Sequence, residues 1–118
     1  MTFTRLCILS IGCLLMACAA PPQVSADAPA VEIYKPDGSR QCEPGSGVSL
    51  SDMEKTLTDA GIPVSSSRRD HDCFFRLAVC GAGTSNINIY EIREDQLPAA
   101  QGLGFIPLSE LQTKCGTR

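Results

Sequence analysis

This chain has few of the residues that build most catalytic sites. It has a single histidine, His71, and no tryptophan, and it contains no Cys-x-x-Cys, Gly-x-Ser-x-Gly or Gly-x-x-x-x-Gly-Lys motif. These absences argue against a histidine-rich metal helix, a thioredoxin-type redox centre, a hydrolase nucleophile elbow and a P-loop. We therefore expect a protein that is not an enzyme and has no catalytic residue, cofactor or metal site.

Long apolar runs and excess positive charge are also missing. The longest apolar stretch, Cys7–Met16, is broken by Ser10 and Gly12. It is far shorter than the roughly 20 residues that a membrane-spanning helix needs. The formal net charge is −3, which argues against a nucleic-acid partner, because such partners require a basic surface.

The N-terminus has the pattern of an export signal. One basic residue, Arg5, precedes the apolar stretch, and small residues follow it, as in a secretory signal peptide. The tetrad Leu15-Met16-Ala17-Cys18 resembles the lipobox of bacterial lipoproteins. That resemblance implies cleavage after residue 17 and lipidation of Cys18, with the protein anchored to a membrane rather than spanning it.

The same resemblance predicts where the protein lies. Ala19, rather than an aspartate, follows Cys18, which in the enterobacterial pattern implies the outer membrane, facing the periplasm. The alternative is an ordinary cleaved signal, because Ala17-Cys18-Ala19 and Val24-Ser25-Ala26 also fit the small-x-small rule. The product would then be a soluble exported protein.

Composition divides the rest of the chain into two parts. Residues 18–30, rich in alanine and proline, have little to bury and predict a lipidated tether with a reach of about 40 Å. Residues 31–118 then form one small domain. A core of this size is marginal without covalent support, so disulfides are expected.

Four cysteines remain for that domain once Cys7 and Cys13 leave with the signal and Cys18 is lipidated. They are Cys42, Cys73, Cys80 and Cys115. An extended segment from Cys73 to Cys80 would hold their Cα atoms more than 20 Å apart, whereas a disulfide needs about 7 Å or less. We favour Cys42–Cys80 with Cys73–Cys115 over the other crossed pairing. Each bridge would contribute roughly 4 kcal/mol in the chain-entropy model.

The periodicity of the domain predicts a small two-layer α+β sandwich, an antiparallel sheet with two short helices, of which a ferredoxin-like variant is one form. Ser51 and Glu54 form a capping box for the first helix, and residues 65–72 are read as a polar loop. In the third strand Phe75, Leu77 and Val79 are assigned to the core face. The expected strands are 31–34, 62–64, 73–79, 86–92 and 105–108, the expected helices are 52–60 and 95–103, and residues 109–114 form a closing turn.

Three segments invite a functional reading. His71, between Asp70 and Asp72, has the residue types of a weak metal site, but we assign it to a solvated loop because adjacent residues rarely converge on one ion. The segment 81–85 is read as a hairpin turn rather than a phosphate loop, since a strand follows it. An outward patch on the hairpin either binds a partner or lies under a helix; its members are Phe74, Arg76, Tyr90 and Ile92.

These expectations combine into one functional hypothesis. The protein is a lipid-anchored envelope protein with a non-enzymatic binding or accessory role, whose partner is another envelope component. The alternative is a small soluble exported enzyme or inhibitor.

Overall fold

Two strands of alternating apolar residues form the centre of one four-stranded antiparallel sheet. The computed structural model describes residues 27–116. Its strands are β1 (Ala30–Pro36), β2 (Ser66–His71), β3 (Asn86–Arg93) and β4 (Ile106–Pro107). Its α-helices are α1 (Leu50–Asp59), α2 (Leu97–Gly102) and α3 (Leu108–Gly116), and a 3-10 turn spans Glu94–Gln96.

The strand order confirms the predicted class. The sheet runs β2-β3-β1-β4, and each neighbouring pair is antiparallel. Strands β1 and β2 are consequently parallel to each other with β3 between them, and α1 connects them. This is the split β-α-β-β-α-β order of ferredoxin-like folds, to which α3 is added. The α+β class, the antiparallel sheet and the disulfide bonds all agree with the expectation from sequence.

Apolar side chains project from both faces of the sheet, because successive residues of a strand point to opposite sides. On one face Ile33, Tyr90 and Ile92 pack with α1 and α2 through Leu57 and Ala100. The second face packs against α3 and contains Tyr34, Ile87, Ile89, Leu108 and Leu111. The expected two helices cover the first face, and α3, read from sequence as a closing turn, covers part of the second.

Helices α1 and α2 end in the same way. Gly61 and Gly104 have φ of 78° and 87°, the left-handed conformation that glycine adopts at little cost. The next residues, Ile62 and Phe105, donate their backbone N–H to Leu57 O and Ala100 O, and both are buried in the core. These are Schellman ends with an apolar contact. They explain the repeated glycine and apolar residue after each helix.

Helix α1 begins two residues earlier than its capping pattern indicates. Ser49, not Ser51, is the N-cap, and its hydroxyl accepts from Asp52 N. The Ser49 hydroxyl also donates to Asp52 Oδ2 at 2.6 Å. The predicted Ser51–Glu54 box is therefore wrong, although the helix itself is where its apolar spacing places it.

Three predictions on the stretch before β3 are wrong. Residues 66–71, read as a polar loop, form the edge strand β2, and every residue of it is exposed. Residues 73–79, read as a strand, are irregular, and so are residues 62–64. The hairpin thus joins β2 to β3 through a long loop, residues 72–85, which we call the β2–β3 loop.

Within residues 27–116 no helix combines the length and apolar character that would let it cross a bilayer. The predicted signal (1–17), Cys18 and most of the predicted tether (18–30) lie outside the described residues. The first strand begins at Ala30, one residue before the predicted start of the domain.

Candidate functional site

The β2–β3 loop is tied to the body of the protein by both disulfides. Cys73, at its start, is bonded to Cys115 of α3, and Cys80 is bonded to Cys42 in the loop between β1 and α1. This is the pairing favoured above. The two bridges hold residues 74–79 between two covalent attachments on different parts of the fold, so the segment is fixed at both ends.

The segment between the bridges exposes its large apolar side chains. Phe75, Leu77 and Val79 are 81, 67 and 56% exposed. The prediction that these three residues form the core face of a strand is therefore wrong. Single exposed apolar residues are common on protein surfaces, but three at alternate positions on one loop mark a candidate binding surface. We call these three residues the apolar face of the loop.

Asp72 holds the residues on both sides of Phe75. Its Oδ1 accepts from Phe74 N at 3.0 Å, and its Oδ2 accepts from the Arg76 guanidinium at 2.7 Å. The Asp72 side chain is only 5% exposed. Arg76 also lies over the Phe74 ring, at 5.8 Å from its centroid, and Phe74 packs against the core on the α3 side. Alternate residues thus point inward and are anchored, which turns Phe75 outward.

Gln41 supports the loop from the other side. Its Nε2 donates to Leu77 O at 2.8 Å and to Gly83 O at 3.2 Å, and its backbone pairs with Gly81 N and Ala82 O. Within residues 27–116, the backbone N–H groups of residues 75–78 donate no hydrogen bond. The loop therefore presents free backbone donors beside its apolar face.

A polar network closes the base of the loop. Asp37, which is buried, accepts from Ser39 N and Ser39 Oγ at 2.8 and 2.6 Å. The Ser39 hydroxyl lies 2.5 Å from Thr84 Oγ1 and accepts from Asn86 Nδ2 at 3.1 Å. A polar depression of about 380 Å³ lies beside this network. The network side chains that line it already hydrogen-bond to one another.

His71 ends the edge strand β2 rather than lying in a loop, and its neighbouring carboxylates are engaged elsewhere. Asp70 accepts from Arg68 and from the backbone N–H of His71, and that backbone bond is the main reason why the pKa of Asp70 is lowered. Ser85 Oγ lies 3.4 Å from His71 Nδ1. In the described part of the chain neither carboxylate hydrogen-bonds to the imidazole.

The remaining predictions concern a metal site, the turn at residues 81–85 and the patch on the hairpin. No group of three or more potential metal-ligating residues occurs in the described region. Residues 81–85 end the β2–β3 loop, with a bridge between Gly83 and Arg40. Of the expected hairpin patch, Tyr90 and Ile92 are buried under α1 and α2, so the helix-covered alternative applies to them. Burial raises the pKa of Tyr90 to about 12.

The sequence analysis does not predict that Asp72 and Gln41 hold the β2–β3 loop. Asp72 lies two residues before Phe74, and an aspartate whose carboxylate bonds the N–H two residues later is a recognised turn pattern. The same pattern occurs at Asp37 and Ser39. Nothing local in the sequence indicates the contact of Gln41 with Leu77, which joins residues 36 positions apart.

Comparison with known proteins provides no relative from which a function can be transferred. No protein-family model, no curated protein and no solved structure matches this chain at a significant level.

Proposed function

We propose that this protein is a lipid-anchored binding protein of the bacterial envelope whose binding element is the apolar face of the β2–β3 loop. The main observation in support is that Phe75, Leu77 and Val79 are 81, 67 and 56% exposed on a loop held by two disulfides. Full burial of such side chains contributes about 1.5–3 kcal/mol each. A partner that covers them would gain roughly 3–6 kcal/mol from the exposed fractions, before the costs of association.

The preformed loop reduces those costs. A loop that is ordered before binding loses less conformational entropy on association than a flexible one. The anchors at Asp72, Gln41, Cys73 and Cys80 fix the backbone on both sides of the apolar face. The loop is therefore suited to recognition rather than to a change of shape.

Membrane attachment is the second part of the proposal. It is supported by the lipobox-like tetrad Leu15-Met16-Ala17-Cys18 and by the disulfides, which persist in oxidising compartments outside the cytoplasm. Ala19, which follows Cys18, supports an outer-membrane location facing the periplasm as part of this proposal. We expect Cys18→Ser to release the protein from sedimented membranes; unchanged attachment and processing of this variant would overturn the lipid anchor.

Site-specific photocrosslinking in intact cells tests the binding role. A photoreactive residue at position 77 should give a reproducible adduct with an envelope protein, whereas one at Lys55, an exposed residue on α1, should not. The Phe75→Ser substitution should reduce the adduct formed at position 77. Equal labelling from positions 77 and 55, or labelling that does not depend on Phe75, would contradict a binding surface at this loop.

A further inference from the structure

We infer that the β2–β3 loop inhibits an endopeptidase by occupying its substrate cleft, with Phe75 in an apolar primary specificity pocket. This inference rests on the proposed function, namely that the loop binds a protein, and adds the class of that protein.

The loop offers the groups that such a cleft binds. Extended peptides bind to proteins through main-chain hydrogen bonds, while alternate side chains enter pockets. Residues 75–78 have free N–H groups within the described part of the chain, and the exposed Phe75 lies between the anchored residues Phe74 and Arg76. Phe75, at 81% exposure, projects furthest, and an aromatic side chain suits an endopeptidase with an apolar specificity pocket.

The anchors distinguish an inhibitor from a substrate. Hydrolysis of the Phe75–Arg76 bond would add one water and leave a carboxylate on Phe75 and an amine on Arg76. The Asp72 carboxylate accepts hydrogen bonds from Phe74 N and from the Arg76 guanidinium. It therefore holds one residue on each side of the Phe75–Arg76 bond. The disulfides at Cys73 and Cys80 retain both new ends. The cut ends would stay together, which favours slow release and resynthesis of the bond over productive digestion.

Two other occupants fit less well. Insertion into a bilayer would leave the free backbone groups of residues 75–78 without partners, which is costly in hydrocarbon. A second copy pairing through the same short segment offers one loop per chain, whereas a stable interface buries about 800 Å² on each partner. A cleft surrounds a projecting loop and supplies both hydrogen-bond partners and apolar contact.

Inhibition assays on the purified protein, with both disulfides verified by mass, test this inference. The panel contains endopeptidases that prefer aromatic, small aliphatic or basic residues. We expect stoichiometric inhibition of an aromatic-preferring enzyme and a roughly 100-fold weaker inhibition by Phe75→Ala. Phe75→Arg should transfer inhibition to an enzyme that prefers basic residues. The matched control is Val48→Ser, another exposed apolar position at 46%, which should leave inhibition unchanged.

The outcomes separate this inference from the proposed function. Failure to inhibit any enzyme of the panel, rapid digestion of the loop, or a Phe75→Arg variant with unchanged preference would overturn it. So would Phe75-dependent binding to phosphatidylglycerol vesicles, or a Phe75-dependent dimer in sedimentation equilibrium. If position 77 crosslinks in cells to an envelope protein that is not an endopeptidase, the binding role stands and the inhibitor is overturned. Thermal unfolding of each variant shows that the fold is retained.

Discussion

Removal of the Asp72 carboxylate tests how the loop is held. Asp72→Ala deletes two hydrogen bonds, one to Phe74 N and one to the Arg76 guanidinium, from a side chain that is 5% exposed. A hydrogen bond to a charged group contributes about 1.5–3 kcal/mol. The Arg76 side chain is 34% exposed, so water replaces part of its contact, and that bond counts for about 1 kcal/mol. We expect a total loss of about 2.5–4 kcal/mol in the free energy of unfolding.

Two further variants show how much of the loss caused by Asp72→Ala comes from its charge and how much is specific to this position. Asp72→Asn keeps an acceptor for Phe74 N and removes the charge, so it should cost about 1 kcal/mol. Asp70→Ala is the matched control, because its side chain is 54% exposed and pairs with an exposed arginine; it should cost no more than about 0.5 kcal/mol. Urea unfolding followed by far-ultraviolet circular dichroism, with the disulfides intact, gives each value. If Asp72→Ala costs no more than Asp70→Ala, the carboxylate does not hold the loop.

Other predictions concern the core and the β1–α1 loop. Burial raises the pKa of Tyr90 to about 12 and also raises the pKa of Tyr34, so the native tyrosines should ionise above the unfolded value of about 10. Stability should therefore fall between pH 10 and 12, and spectrophotometric titration at 295 nm checks this; ionisation near pH 10 in the native state would contradict the burial. Gly45→Ala should lower the free energy of unfolding by about 1–2 kcal/mol, because the backbone at this position is left-handed. Gly47→Ala should lower it further. Gly47 has φ of 92°, and an added Cβ would lie 2.9 Å from Ser39 N. Equal unfolding midpoints for the two variants would contradict the packing of Gly47 on Ser39.

The two central strands are predictable from sequence. Both β1 and β3 are rich in β-branched and aromatic residues, which favour strands, and their side chains Ile33, Ile87 and Ile89 are buried. Helix α1 is predictable from its apolar spacing, since Met53 and Leu57 lie on one side. Periodicity succeeds where burial decides the structure.

The edge strand β2 has no such signal. Its six residues are all exposed, and it joins the sheet through backbone hydrogen bonds to β3, which residues of any type supply. Polar composition therefore resembles a loop. Helix α3 has only a weak signal, because Leu108 also fits the end of the preceding strand. In the structure Leu108 and Leu111 lie one helical turn apart and are both buried.

Residues 73–79 show the reverse case, because they have the apolar alternation of a strand but do not form one. Phe75, Leu77 and Val79 have the spacing of a buried strand, but the segment is held by Cys73, Cys80 and the Asp72 carboxylate rather than by burial of those side chains. Covalent links and long-range polar contacts leave no periodic trace in the sequence. The departure from the pattern coincides with the proposed binding surface.

Hydroxyl-radical labelling of the phenylalanines tests most directly whether the apolar face is open to solvent. Phe75 is 81% exposed and Phe105 is 2% exposed, so in the native, disulfide-bonded protein Phe75 should be oxidised at least about tenfold faster, in line with its accessibility. Urea should bring the two rates together. If native Phe75 is instead protected to the same degree as Phe105, residues 73–79 are part of the core and the loop is not a binding surface.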